Sequence, residues 1–211
     1  MTRYTEIDST WGPLLLTAEG EQLTGLYFSG GRHAPRPAAD WRHAPEATVF
    51  TIIERQLREY ASGRRREFEA PIALRGTPFQ RAVWDAIRAI PYGETITYAT
   101  LATRVGDRRT VRAAGTATGR NPLSIIVPCH RVVGSDGSLT GYAGGLDRKR
   151  ALLALESRGA RSRCGLTDAD PTSAAADGRH PERSGGSALL ACAQGGDREA
   201  DSSPRCRSGQ A

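Results

Sequence analysis

Hydrophobic and polar positions first alternate with a short period. Arg3–Asp8, Pro13–Ala18 and Leu23–Ser29 are β-rich runs, with turns at Thr10-Trp11-Gly12 and Glu19-Gly20-Glu21. They predict an antiparallel meander. The Pro/Ala/Arg/His-rich stretch Gly30–Pro45 reads as a loop. The period then lengthens. Val49, Ile52, Ile53, Leu57 and Tyr60 recur close to every 3.6 residues, which predicts a helix over Ala47–Ala61, stopped by Ser62-Gly63. Phe68–Leu74 reads as a further strand or as a linker to a second unit.

After Gly76 the pattern becomes helical. Thr77-Pro78-Phe79-Gln80 carries a capping residue, a proline suited to the first helical position and the Thr-x-x-Gln capping box. The helix is expected to reach about Ala89, with Val83, Trp84 and Ile87 inward. A short helix, Thr97–Val105, ends at Gly106, and a second runs from Asp107–Arg109 to just before Gly119. Leu123–Val127 reads as a buried strand or extended segment, Val132–Gly145 as a glycine-rich loop, and Leu146–Ser157 as a last helix with Leu152, Leu153 and Leu155 inward.

Composition divides the chain again. All 13 aromatic residues lie between Tyr4 and Tyr142, and residues 161–211 hold no aromatic, Ile, Val or Met. Such a segment buries too little apolar surface to offset its ordering entropy, so a disordered tail is expected. The expected organisation is 1–75, 76–160 and the tail 161–211. The tail has seven arginines and seven acids, which leaves the net charge of +6 to residues 1–160. Three of the four cysteines (Cys164, Cys192, Cys206) fall in it, so a disulfide framework is excluded from the rest, where only Cys129 remains. No apolar run is long enough for a membrane span and no signal-type segment opens the chain, so a cytoplasmic protein is expected.

Two features carry candidate chemistry. The helix, turn, helix pattern around Gly106 places Arg108, Arg109 and Arg112 on a helix of small residues (Ala113, Ala114, Gly115), with Arg120 past its end. Basic ends with a low-profile face suit phosphates and a groove floor, and equally fit an ordinary helical hairpin with solvated arginines. The second feature is Pro128-Cys129-His130-Arg131. A thiol attacks as thiolate, and neighbouring cations or histidine lower its pKa. A buried structural cysteine and a Cys-His hydrolase nucleophile stay open beside this. On a strand, Cys129 and His130 would point to opposite faces, so a direct bond between them would need a bend or a bridging water.

These residues resemble the O6-alkylguanine-DNA alkyltransferases. The resemblance rests on Gly76-Thr77-Pro78-Phe79-Gln80, Pro91-Tyr92-Gly93-Glu94-Thr95-Ile96-Thr97-Tyr98, Arg112-Ala113-Ala114-Gly115, Arg120-Asn121-Pro122, Ile126-Val127-Pro128-Cys129-His130-Arg131-Val132-Val133 and Gly141-Tyr142-Ala143-Gly144-Gly145-Leu146. It implies an α/β (α+β) fold, with an RNase H-like N-terminal sheet and helix and a mostly helical C-terminal part. It implies that Cys129 accepts the alkyl group, once per molecule, with His130 and Glu156 as its relay through a water. It makes Asn121 the brace of the active-site turn, Tyr98 a donor to the extruded guanine and Arg112 the finger that fills the vacated stack. Ala113, Ala114, Gly115, Arg109 and Arg120 would meet DNA. Pro128, Val132, Tyr142, Ala143 and Gly144 would line the guanine pocket, the glycines keeping room for the alkyl group. Double-stranded DNA is the implied partner of a monomer, without cofactor. Some relatives hold a structural zinc through N-terminal cysteines, and residues 1–128 have none. Two rivals to this reading are a lesion-binding module without transfer and a hydrolase with repeated turnover.

Overall fold

A computed structural model describes residues 1–161. The expected tail, with Cys164, Cys192 and Cys206, lies outside the described residues. Strands β1 (Thr2–Ile7), β2 (Leu14–Glu19) and β3 (Gln22–Phe28) form the antiparallel meander. A short β4 (Arg42–His43), inside the segment read as loop, joins β1 in parallel and makes the order β3-β2-β1-β4. Leu14, Leu16 and Ala18 of β2 face the same core as helix α1 (Thr48–Ala61), which contributes Val49, Phe50, Ile53, Leu57 and Tyr60. Gln56, also buried, exchanges two 2.9 Å hydrogen bonds with the Glu69 backbone and pins the following connector to α1.

The free edge of β3 joins the two halves. Near its start, Leu23 bonds the Pro71 carbonyl and accepts from the Ala73 N–H. One residue beyond the midpoint, Leu26 donates to Pro122 O at 2.8 Å and accepts from Ser124 N–H at 2.9 Å. The sheet therefore grips both the connector and the segment leading into Pro-Cys-His-Arg. An edge that would otherwise offer unpaired backbone groups is used up in doing so.

Helix α2 (Pro78–Arg88) starts with the expected Thr77/Gln80 capping box and buries Val83, Trp84 and Ile87. The Trp84 indole donates to Ala117 O at 2.9 Å, which fastens α2 to α4. Strand β5 (Ile96–Thr97), helix α3 (Tyr98–Arg104), a 3-10 turn (Arg108–Thr110) and helix α4 (Val111–Gly119) follow in order. The Asp107 side chain caps the 3-10 turn at Arg109 N–H. Helix α5 (Leu146–Arg161) closes the described chain. It buries Leu152 fully, while Leu153 and Leu155 are half-buried.

Two expectations need correction. Leu123–Val127 is not a strand. Only Leu123 bridges to β3, and the chain then turns through Ile125 at φ 72°, a left-handed conformation disfavoured for a β-branched residue. Asn121 explains the turn, because its amide satisfies Leu123 N–H, Leu123 O and Val127 O in place of a ladder. Second, Val132–Val133 is a strand, β6, paired in parallel with β5, and not part of the glycine-rich loop. Two β-branched residues in a buried slot favour extended backbone. Their partner lies 36 residues upstream, beyond the reach of a local pattern.

Candidate active site

The Asn121 turn delivers the chain into a 3-10 turn, Cys129–Arg131, with all three side chains buried. This removes the alternation of a strand, so consecutive side chains diverge without lying on opposite faces of a sheet. Cys129 is 5% exposed, and the Asn121 amide donates to its Sγ at 3.2 Å. Burial pushes the thiol pKa up, while the Asn121 bond and the Lys149 ammonium pull it down, with burial prevailing. The sequence expectation assigned the lowering to His130 and Arg131. The structure turns both toward Glu156 instead, so the resting sulfur is a thiol and needs a base.

Glu156 sits fully buried on α5, seven residues after Lys149 and four after Leu152, the spacing of one helical face. Its carboxylate meets His130 Nε2 at 2.8 Å and accepts from the Arg131 guanidinium at 2.9–3.1 Å, from Gly93 N–H at 3.0 Å and from the Tyr60 hydroxyl. Burial opposes its charge, but the His130 and Arg131 contacts prevail and hold its pKa at about 2. His130 is pulled below its ordinary value, chiefly by burial and against the Glu156 carboxylate. A neutral imidazole is thus available as a base. With Nε2 engaged by Glu156, its Nδ1 is buried and has no hydrogen-bond partner.

An open cleft of about 770 Å³ lies on the outer side, between α4 and the loop before α5. Tyr98, Arg112, Gly115, Arg120, Tyr142 and Ala143 line it, as does the pair Arg32 and His33 from the sheet side. Burial raises the phenol pKa of Tyr98, and a negative charge on Cys129 would raise it further, which puts ring and sulfur within electrostatic reach. Tyr142 behaves likewise.

The remaining expected residues divide. Ala113 is exposed on α4, but Ala114 is fully buried with Ala117 and Thr118 on its inner face. Helical spacing therefore gives Ala114 to the core and not to a DNA surface, a correction to the sequence reading. Arg109 is exposed and paired with Asp107 at 2.9 Å, away from the cleft lining. Pro128 does not line this cleft but a second hollow, with Arg131 and Tyr92. Val132 is buried and presents its carbonyl to Lys149. Gly144 is buried too. A Cβ there would lie 2.3 Å from the Phe28 ring, so its glycine is demanded by packing on β3 before any need of a substrate.

Sequence reasoning missed Tyr60 and Lys149 as members of the site, and it set Arg131 beside the thiol where the structure sets it on Glu156. Lys149 carried a signal, as the single lysine beside 28 arginines. It is fully buried, donates to Val132 O at 2.6 Å and Thr140 O at 2.8 Å, and lies 5.9 Å from the Tyr98 ring centre. A compact ammonium can meet two carbonyls there, whereas a planar guanidinium needs more room.

Residues 2–74 match the ribonuclease-like domain of the 6-O-methylguanine DNA methyltransferases, and residues 78–158 match their DNA binding domain. The chain belongs to this family. Among its relatives, the methylated-DNA–protein-cysteine methyltransferase of Mycobacterium tuberculosis is 46% identical over 156 residues, 74% of this chain and 93% of that protein. The protein of the same description from Methanosarcina barkeri is 46% identical over 158 residues, 75% of this chain and 99% of the relative. The crystal structure of Mycobacterium tuberculosis OGT in complex with DNA superposes with a TM-score of 0.69 at 45% identity, covering 74% of this chain and 94% of that one. The family's mixed architecture, a ribonuclease-like sheet followed by a helical region, is the architecture found here. Among the described residues no helix of this methyltransferase-family chain is long and apolar enough to cross a membrane.

Proposed function

We propose that this chain repairs DNA by direct reversal, moving an alkyl group from O6 of guanine to its own Cys129. The observation that supports this most is the buried thiol held by Asn121 beside a histidine that Glu156 engages through its far nitrogen. His130, kept neutral by burial, takes the thiol proton from its free Nδ1 side through one water. The sulfur attacks the alkyl carbon, an S–C bond forms as the C–O6 bond breaks, and the departing guanine takes back a proton. Tyr98, which lines the cleft, would supply the hydrogen bond that eases this departure. Thiol and alkylated base become thioether and guanine, so atoms balance without a co-reactant. Water does not cleave the thioether, so each chain acts once.

Residues 76–160 carry the DNA-facing helix and the acceptor, and residues 1–75 brace them. The alkylated nucleotide must leave the stack, at a cost of a few kcal/mol. Arg112, exposed on the first turn of α4 at the cleft, has the planar donor array to fill the gap, and Arg120, exposed on the same cleft, would meet a phosphate. Arg112→Ala should slow transfer from duplex DNA at least about tenfold, the loss of one good hydrogen-bonding anchor. Reaction with free O6-benzylguanine should stay near wild type. Equal losses on both substrates, in parallel rate measurements, would remove the finger role.

The proposal is tested with duplex DNA bearing methyl-labelled O6-methylguanine. Label should appear on the Cys129 peptide by mass spectrometry, in one burst equal to the protein added. Label elsewhere or nowhere refutes the assignment, and repeated turnover would point to a hydrolase.

A further inference from the structure

Tyr60 is the one member of the buried network that comes from the N-terminal sheet and helix. It sits on the last turn of α1, fully buried, 96 residues before Glu156. Trp11, Phe68 and Tyr92 surround its ring at centroid distances of 5.3–5.9 Å, with Tyr92 edge-on. Packing on three sides fixes where the hydroxyl points. It donates to Glu156 Oε1 and lies 3.5 Å from His130 Nε2, so phenol and imidazole share one carboxylate oxygen. Arg131 Nη2 also donates to Oε1 at 2.9 Å, while Glu156 Oε2 accepts from Gly93 N–H and Arg131 Nε.

We propose that Tyr60 is a positioning residue for alkyl transfer, through which the N-terminal domain fixes Glu156 Oε1 against His130 Nε2. This rests on the relay proposed above. A carboxylate oxygen that also accepts a phenol hydrogen bond attracts a protonated imidazole less strongly, because part of its charge is already taken. Tyr60 thereby favours the neutral imidazole that can accept the thiol proton. Other groups act on the same pair. Arg131 and Cys129 lie on the 3-10 turn and Lys149 on α5. Tyr92 faces the carboxylate from the Pro91–Gly93 turn with Arg66 over its ring, and Tyr142 faces it from the loop before α5. None of these is altered by removing the Tyr60 oxygen, and the aromatic packing is kept by phenylalanine.

The experiment compares full-length wild type with Tyr60→Phe and His130→Gln. Single-turnover transfer from free O6-benzylguanine is followed from pH 5 to 9, so that DNA binding plays no part. In Tyr60→Phe the acid limb should move up by about half a pH unit, a partial loss of one charge-assisted hydrogen bond. Transfer is then about threefold slower below the midpoint and unchanged on the plateau. The His130 imidazole resonances should titrate with the same displacement. An equal loss at every pH, or an unmoved midpoint, overturns the role of Tyr60. If the acid limb vanishes in His130→Gln but does not move in Tyr60→Phe, only Tyr60 is at fault. If it persists in His130→Gln, the relay itself is wrong, and the role of Tyr60 falls with it.

Discussion

Cys129→Ser should abolish alkyl transfer while leaving DNA binding within about twofold of wild type, the small change usual for an exchange that removes no charge and no large side chain. Cys129 is 5% exposed, while Arg112 and Arg120 are exposed on the cleft, so the substitution leaves the charge facing DNA unaltered. Serine keeps the Asn121 amide as a partner, and the pocket loses only the larger size of sulfur. The hydroxyl is far less acidic than the thiol, and the His130 relay does not make it an adequate nucleophile for an alkyl carbon. Labelled transfer and a binding titration on the same duplex measure both halves. Residual transfer would mean that the acceptor is another residue.

Glu156→Gln should be the most destabilising single exchange in the site, by about 3–5 kcal/mol, the range for removing one partner of a buried ion pair. Arg131 is 6% exposed, and Glu156 is the carboxylate it meets. A neutral amide leaves that guanidinium charged without compensation. Gln also presents N–H groups toward Arg131, His130 and Gly93, all of which act as donors there. Chemical denaturation reads the loss directly. Arg131→Met with Glu156→Gln should recover part of it, because the stranded charge goes as well.

The same carboxylate sets an acid limit. Its folded pKa of about 2 lies below the ordinary value of 4.5, so the unfolded chain binds the proton more readily. The contribution is fully present above about pH 4.5 and is lost as the pH falls toward 2. In Glu156→Gln this part of the acid dependence should disappear from the stability curve, leaving that of the other carboxylates.

Elements specified by neighbours were legible in the sequence. The α2 start was read from Thr77, Pro78 and Gln80, because a capping box closes within four residues. The faces of α1 and α2 followed from the helical period. The same logic applied to α4 would have placed Ala114 inward. It was instead grouped with its small neighbours as a groove-facing set, and spacing decided against that. The turn after Pro122 was harder. Its apolar, β-branched composition favours a strand, and the outcome depended on how many backbone groups one side chain, Asn121, could satisfy. Strands β4 and β6 are two residues each and exist only through a distant partner.

By itself the sequence determined the chemical inventory: a single cysteine before residue 161, a histidine beside it, four arginines between positions 108 and 120 and a glutamate 27 residues after the cysteine. These are facts fixed by residue type and by position along the chain. Tertiary structure decided which charge meets which. It took Arg131 away from the thiol and gave it to Glu156, put Lys149 near the sulfur, and brought Tyr60 across from the first helix to the carboxylate. The reason is that pKa and hydrogen-bond partnership depend on burial and on atoms a few ångströms away, whatever their distance along the chain. Those distances come into being only when the β3 edge, the Asn121 turn and α5 pack around one core.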